Sequence, residues 1–302
     1  MLLPLLATTA LAGTGPWTLP EGDWSLYGGA DWRHFQKVAI SNGNTATLDT
    51  GIRALTLEVV GSFGLLDAVE AELTLPWVYA QVDHVSESPC ETLPNDPCAT
   101  VSAIGLLQAK VKVRALDELD GLPVTLAAGT LFRSGEFTHE QRSRLTAPTE
   151  GQTDLGAFLT VGRSGGAFAN GFYSGWAQAG YFYRMPNGIV EDKKIPGNEW
   201  TSDAEFFIAP ISAFAIGPNL FITKRTGITL EDMNEKYIDD PDRYAMLAVF
   251  SIKYGAKILL RSDRRWTVVL GGTGTAYAEN TAADVYSFSV GINYQGIAKD
   301  PS

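Results

Sequence analysis

Two cysteines and three histidines in 302 residues leave little material for metal, redox or Ser/His/Asp chemistry. His34, His84 and His139 stand in no recognisable nucleophile or metal spacing, so an enzyme is not expected, and neither a metal nor a cofactor. No apolar run after residue 13 approaches the roughly 18 residues that a spanning helix needs, which excludes a helical membrane protein. Basic residues are scarce as well. Lys and Arg number 23 against 34 Asp and Glu, a formal net charge of -11, and so acidic a chain would be repelled by nucleic acid.

What the chain has instead is 11% aromatic residues, 31 glycines and only 19% charged residues, a composition that favours strands over soluble helices. Residues 1–12 form a short apolar run ending in Ala10-Leu11-Ala12-Gly13, a small-x-small pattern like that cleaved from secretory signals. The expected organisation is therefore a signal peptide over 1–12 and one domain over 13–302, with residues 12–22 as a periplasmic lead-in. Cys90 and Cys98 share a polar loop, where a disulfide suits an oxidising compartment and two free thiols are the alternative.

Alternation with the period of a strand dominates from Trp24 to Tyr294. In segment 68–82, Val69, Ala71, Leu73, Leu75, Trp77 and Tyr79 share one face while Glu70, Glu72 and Thr74 take the other. Segment 102–116 sets Leu107, Ala109, Val111 and Val113 against Gln108, Lys110, Lys112 and Arg114. Twelve such segments are expected, near 24–37, 50–62, 68–82, 102–116, 122–133, 152–163, 171–185, 200–212, 218–226, 244–258, 264–277 and 284–295. The gaps between them alternate. Short ones fall near 63–67, 117–121, 164–170, 213–217 and 259–263; long polar ones fall at 38–49, 83–101, 134–151, 186–199 and 227–243, with a short one at 278–283. Membrane barrels keep this odd-even rule and soluble sandwiches have no reason to. The expected fold is all-β, a single transmembrane antiparallel up-and-down β-barrel of about 12 strands with short periplasmic turns and long outer loops, in the bacterial outer membrane.

Four stretches resemble a known family. They are Thr18-Leu19-Pro20-Glu21-Gly22-Asp23-Trp24; Phe63-Gly64-Leu65-Leu66-Asp67 running into Leu73-Thr74-Leu75-Pro76-Trp77-Val78; Gly151-Gln152-Thr153-Asp154-Leu155-Gly156 leading to Gly180-Tyr181-Phe182-Tyr183-Arg184; and Asn280-Thr281-Ala282-Ala283 before Phe288-Ser289-Val290-Gly291-Ile292-Asn293-Tyr294. Together they resemble the outer-membrane "transporter" barrels associated with meta-pathway phenol degradation, distantly similar to FadL-type transporters of hydrophobic compounds. That resemblance implies a barrel that passes small molecules, hydrophobic or aromatic compounds among them.

A charge on the lipid face costs roughly 2 to 4 kcal/mol at the bilayer midplane, so the charged faces are assigned to the lumen. They carry Asp31, Arg33, Glu58, Glu70, Glu72, Lys110, Lys112, Arg114, Arg133, Asp154, Arg184, Asp203, Glu205, Arg225, Lys253 and Lys257. Glu70 and Glu72 are expected opposite Lys112 and Arg114 as a charge ladder, which either fills and stabilises a narrow lumen or forms a selectivity zone. Trp24, Trp32, Trp77, Tyr79, Tyr181, Tyr183, Trp266 and Tyr294 are expected in interfacial girdles, ligand stacking being the alternative. The acidic loop 231–242 reads as a solvated loop more readily than as a cation site. The expected partners are outer-membrane lipid, lipopolysaccharide and an unidentified small solute. Two rival readings stand beside the channel: a structural or adhesive barrel with a closed lumen and partner-binding outer loops, and, less favoured, an outer-membrane hydrolase.

Overall fold

The computed structural model describes residues 15–39, 44–82, 100–134, 153–168, 171–185, 197–227, 248–262 and 265–298. They form one antiparallel sheet that closes on itself. Its strands are β1 (Trp24–Ala39), β2 (Thr45–Leu66), β3 (Val69–Val82), β4 (Val101–Ile104), β5 (Leu107–Leu116), β6 (Thr125–Ser134), β7 (Thr153–Phe168), β8 (Gly171–Met185), β9 (Glu199–Ile211), β10 (Phe214–Arg225), β11 (Val249–Arg261), β12 (Trp266–Glu279), β13 (Thr281–Ala282) and β14 (Tyr286–Gly296). Apart from the short β4 and β13, each strand pairs with the next in sequence, and β1 pairs with both β2 and β14, from Trp24 opposite Phe63 on one side to Trp24 opposite Gly296 on the other. That double pairing removes the free edge. Twelve staves result, because β13 is a two-residue appendage on β1 and β4 continues β5 along the same neighbour, β3.

The break between β4 and β5 has a cause in β3. Pro76 lacks an N–H, and the chain opposite it carries one extra residue, since Trp77 faces Ile104 while Thr74 faces Gln108. The Gly105 N–H still donates to the Pro76 carbonyl at 2.9 Å.

Sequence period becomes wall. Leu73, Leu75, Trp77 and Tyr79 of β3 are exposed on the outer face, whereas Glu70 and Thr74 are buried. The same holds on β14, where Tyr286, Phe288, Val290 and Ile292 are exposed and Gly291 and Asn293 are buried. Leu26, Leu57, Leu155, Leu159, Tyr254 and Ile216 extend this apolar outside around the circumference. A closed sheet that is greasy outside and ionic inside satisfies every backbone group internally, as crossing a membrane demands.

Several boundaries differ from the sequence expectation. The connection expected over 38–49 shrinks to 40–44, because β1 and β2 run on past the bilayer; the 22 residues of β2 are about twice the 9 to 11 needed to cross. Strand β10 starts at Phe214 and not at 218, with Pro218 inside it opposite Ala256. On the short-turn, periplasmic side the links are tight: Asp67 and Ala68, residues 212–213, and the 117–124 turn with its 3-10 segment Glu118–Asp120.

Candidate functional site: a charged lumen above a strapped mouth

The lumen at mid-height encloses a cavity of about 630 Å³. Six carboxylates (Asp31, Glu58, Glu72, Glu199, Asp203, Glu205) and five cations (Arg33, Lys110, Arg133, Lys253, Lys257) line it. Sign changes with the staves. Acid predominates from β1 to β3, where Arg33 is the exception, base comes from β5 and β6, acid again from β9, and base from β11. Tyr27, Phe158, Phe182, Phe221 and Trp176 interrupt the charge with rings.

Most of these charges are partnered along the wall. Lys257 bonds Glu205, Arg33 meets Asp31 at 2.7 Å, and Glu199 takes both Arg133 at 3.1 Å and Arg225 at 2.9 Å. The Arg133 guanidinium also lies 3.7 Å above the Phe182 ring, and the Lys110 ammonium lies 4.9 Å from the Phe158 centroid. Arg184 approaches Asp154 at 3.4 Å, both buried. Glu58, Glu72, Asp203 and Lys253, by contrast, have no hydrogen bond or ion pair among the described residues.

The ladder between β3 and β5 departs from the sequence expectation by one rung. Glu70 does face Lys112, at 3.1 Å and almost fully buried, but Glu72 stands opposite Lys110. Arg114 falls below the end of β3, where it bonds Asp117 at 2.8 Å and the Asp67 carbonyl at 3.0 Å. The turn after Leu66 sets this register, and residue alternation carries no information on it.

Sequence reasoning missed what lies beneath the cavity. Residues 15–23, expected as a periplasmic lead-in, turn up into the barrel mouth and form a strap there. The turn is Pro20-Glu21-Gly22-Asp23, closed by the Asp23 N–H donating to the Pro20 carbonyl at 3.0 Å, with Gly22 at φ +81° as the third position of a type II turn requires. Two bonds then clip the strap to β2: Gly22 N–H to the Gly64 carbonyl and Gly64 N–H to the Asp23 carbonyl, each 2.9 Å. Only glycine fits at 64, because a Cβ there would lie 2.0 Å from the Pro20 carbonyl oxygen.

Past the turn the strap is tied to the inward charges. The Leu19 N–H donates to Glu70 at 2.9 Å, and the Lys112 ammonium donates to the Gly15 carbonyl at 3.3 Å. Trp17 packs on Trp176, which belongs to the cavity floor, and its indole N–H donates to Glu118 at 3.2 Å. Glu118 folds in from the 117–124 turn to hold Ser164 of β7 as well. Across the mouth from the strap, Phe207, Ala209, Ala215, Leu259 and Val269 form an inward apolar cluster with Tyr27 against it. Strap and cluster together narrow the periplasmic end.

On the outer face Trp24, Trp32, Trp77, Tyr79, Tyr183 and Trp266 are exposed, and Tyr181 and Tyr294 are half-buried. Tyr294 bridges Trp24 at 5.4 Å and Trp266 at 4.6 Å near the chain ends, and Tyr181 meets Trp200 at 4.6 Å toward the other rim. His34 stacks on Trp32 at 6.1 Å. Residues 1–12, Cys90, Cys98, His84, His139 and the acidic loop 231–242 lie outside the described residues.

No family model matches the sequence, and no curated protein does. The fold is similar to solved outer-membrane channels. An outer-membrane channel from Pseudomonas putida F1 superposes with a TM-score of 0.70 at 9% identity, over 94% of this chain and 98% of that one. The NanC porin superposes with a TM-score of 0.50 at 9% identity, over 90% and 98%. A FadL homologue of Pseudomonas aeruginosa reaches only 0.39 at 10% identity, over 93% of each chain, too low to speak for a shared solute. At these identities the likeness speaks for the fold, an outer-membrane-type barrel.

Proposed function

We propose that this barrel is an outer-membrane channel for small molecules, its lumen suited to amphiphilic solutes that combine a charged or polar group with an apolar or aromatic body. The observation that carries the reading is the cavity of about 630 Å³, large enough for a small solute and lined by both ionised groups and rings, inside a wall whose outside is apolar. A lumen meant only to be filled would bury its charges in pairs, and Glu58, Asp203 and Lys253 face the cavity with none. The stretches similar to the phenol-pathway transporter barrels support aromatic compounds among the solutes, as do Phe158, Phe182 and Phe221 in the wall.

The strap favours a second reading, a barrel held shut whose outer connections serve a partner. One experiment separates the two. The full chain and a variant lacking residues 15–21 are reconstituted in planar bilayers and in liposomes for solute swelling. A channel gives measurable current and swelling in the full chain and more in the strap variant. Folded protein that passes neither ions nor solutes in either form overturns the proposal and leaves the closed barrel.

A further inference from the structure

Two inward shelves spanning β8, β9 and β10 lie on one side of the cavity. On the lower shelf Trp176 faces Glu205 and Glu205 faces Asn219; two residues higher, Gln178 faces Asp203 and Asp203 faces Phe221. Asn219 is 5% exposed, and both its amide nitrogen and its amide oxygen lack a partner among the described residues. The Trp176 indole N–H is buried and unpartnered too. A buried polar group left without its bond destabilises the wall, and a ligand that supplies the missing group removes that penalty.

Glu205 is neutralised by Lys257, so the free charge on this wall is Asp203. The wall opposite adds Glu58 and Glu72, against Lys253, which has no ion pair among the described residues. The site therefore asks for positive charge at one end. At the other it asks for a group that both donates and accepts, which a carboxamide does reciprocally with Asn219. Diagonal neighbours on adjacent strands lie roughly 7 to 8 Å apart, a span that one short ammonium-amide unit bridges from Asp203 to Asn219.

We propose that this wall is a binding subsite for a small solute bearing an ammonium group next to a primary carboxamide, the unit presented by an amino-acid amide. Asp203 holds the ammonium, Asn219 pairs with the amide, and the Phe221 and Trp176 rings cover the aliphatic part. The inference rests on the channel reading for access, but the binding is separable from it.

Glycinamide, methylammonium and acetamide serve as probes. In reconstituted wild-type channels glycinamide blocks potassium current at lower concentration than either fragment. D203N weakens block by both ammonium probes at least about tenfold, while N219L weakens glycinamide about tenfold and leaves methylammonium unchanged, the loss of one buried polar partner. N219S replaces N219L should the latter not fold, as judged by heat-modifiable gel mobility. Equal potency of glycinamide and methylammonium in the wild type, or block untouched by D203N, overturns the subsite. Should neither the wild type nor the strap variant carry current, the channel reading fails by itself, and calorimetry on the detergent-solubilised full chain decides the subsite: heat from glycinamide that vanishes in D203N upholds it, and no heat in the wild type overturns it.

Discussion

Lys112 is held by Glu70 on the neighbouring stave and by the Gly15 carbonyl of the strap, with almost no solvent on either charge. Such a pair is a poor source of net stability but a costly one to halve, since removing one member strands the other in a low-dielectric wall. Lys112→Met is expected to destabilise the folded barrel by about 3 to 5 kcal/mol, and Lys112→Met with Glu70→Leu to restore most of that. Urea unfolding followed by tryptophan fluorescence in detergent micelles measures both, and equal losses in the single and double variants would refute the pairing argument. The identity of this pair is legible in sequence as charges alternating with Val111, Val113, Ala71 and Leu73. Its third partner is not, because nothing in the residues around Gly15 marks a chain that turns inward.

A stave presents opposite chemistry at adjacent positions, so β14 can be tested one residue at a time. Phe288 is 56% exposed on the outer face, and Ser289 lines the cavity. Phe288→Arg is expected to cost roughly 2 to 4 kcal/mol if it lies near the bilayer midplane, and Ser289→Arg to leave folding intact while lowering conductance. Gel mobility before and after heating reads the first effect, single-channel recording the second. Alternation makes the staves and their faces legible because a strand repeats every two residues and each face meets a different solvent. It loses the ends for a physical reason as well. Toward the outer end of β1 Gln36 and Lys37, on opposite faces, are both exposed, so alternation fades there and Thr45 and Thr47 look like loop residues, and Pro218 looks like a break although a barrel strand can carry one missing donor.

The whole molecule holds a vestibule of mixed charge over a narrowed mouth, and the strap is the element most readily loosened. Gly64→Val places side-chain atoms where the Pro20 and Leu19 carbonyls now lie, so it is expected to displace the strap and raise conductance above the wild-type level, with the barrel still closed. Single-channel recording checks this, alongside unchanged β-sheet circular dichroism; unaltered conductance would mean that the strap does not limit passage. The register of β1 against β14 was beyond the reach of sequence pattern, since closure joins residues more than two hundred positions apart.

That closure brings the Ala298 N–H to within 2.7 Å of the Asp23 carboxylate. The first and last staves are far apart along the sequence, whereas the ladder of interstrand bonds runs across their seam without a gap. A short linker from Ala298 to Asp23 in place of residues 1–22, with a new start cut between β9 and β10 on the same periplasmic side, should therefore give a strapless circular permutant with every stave in its original place.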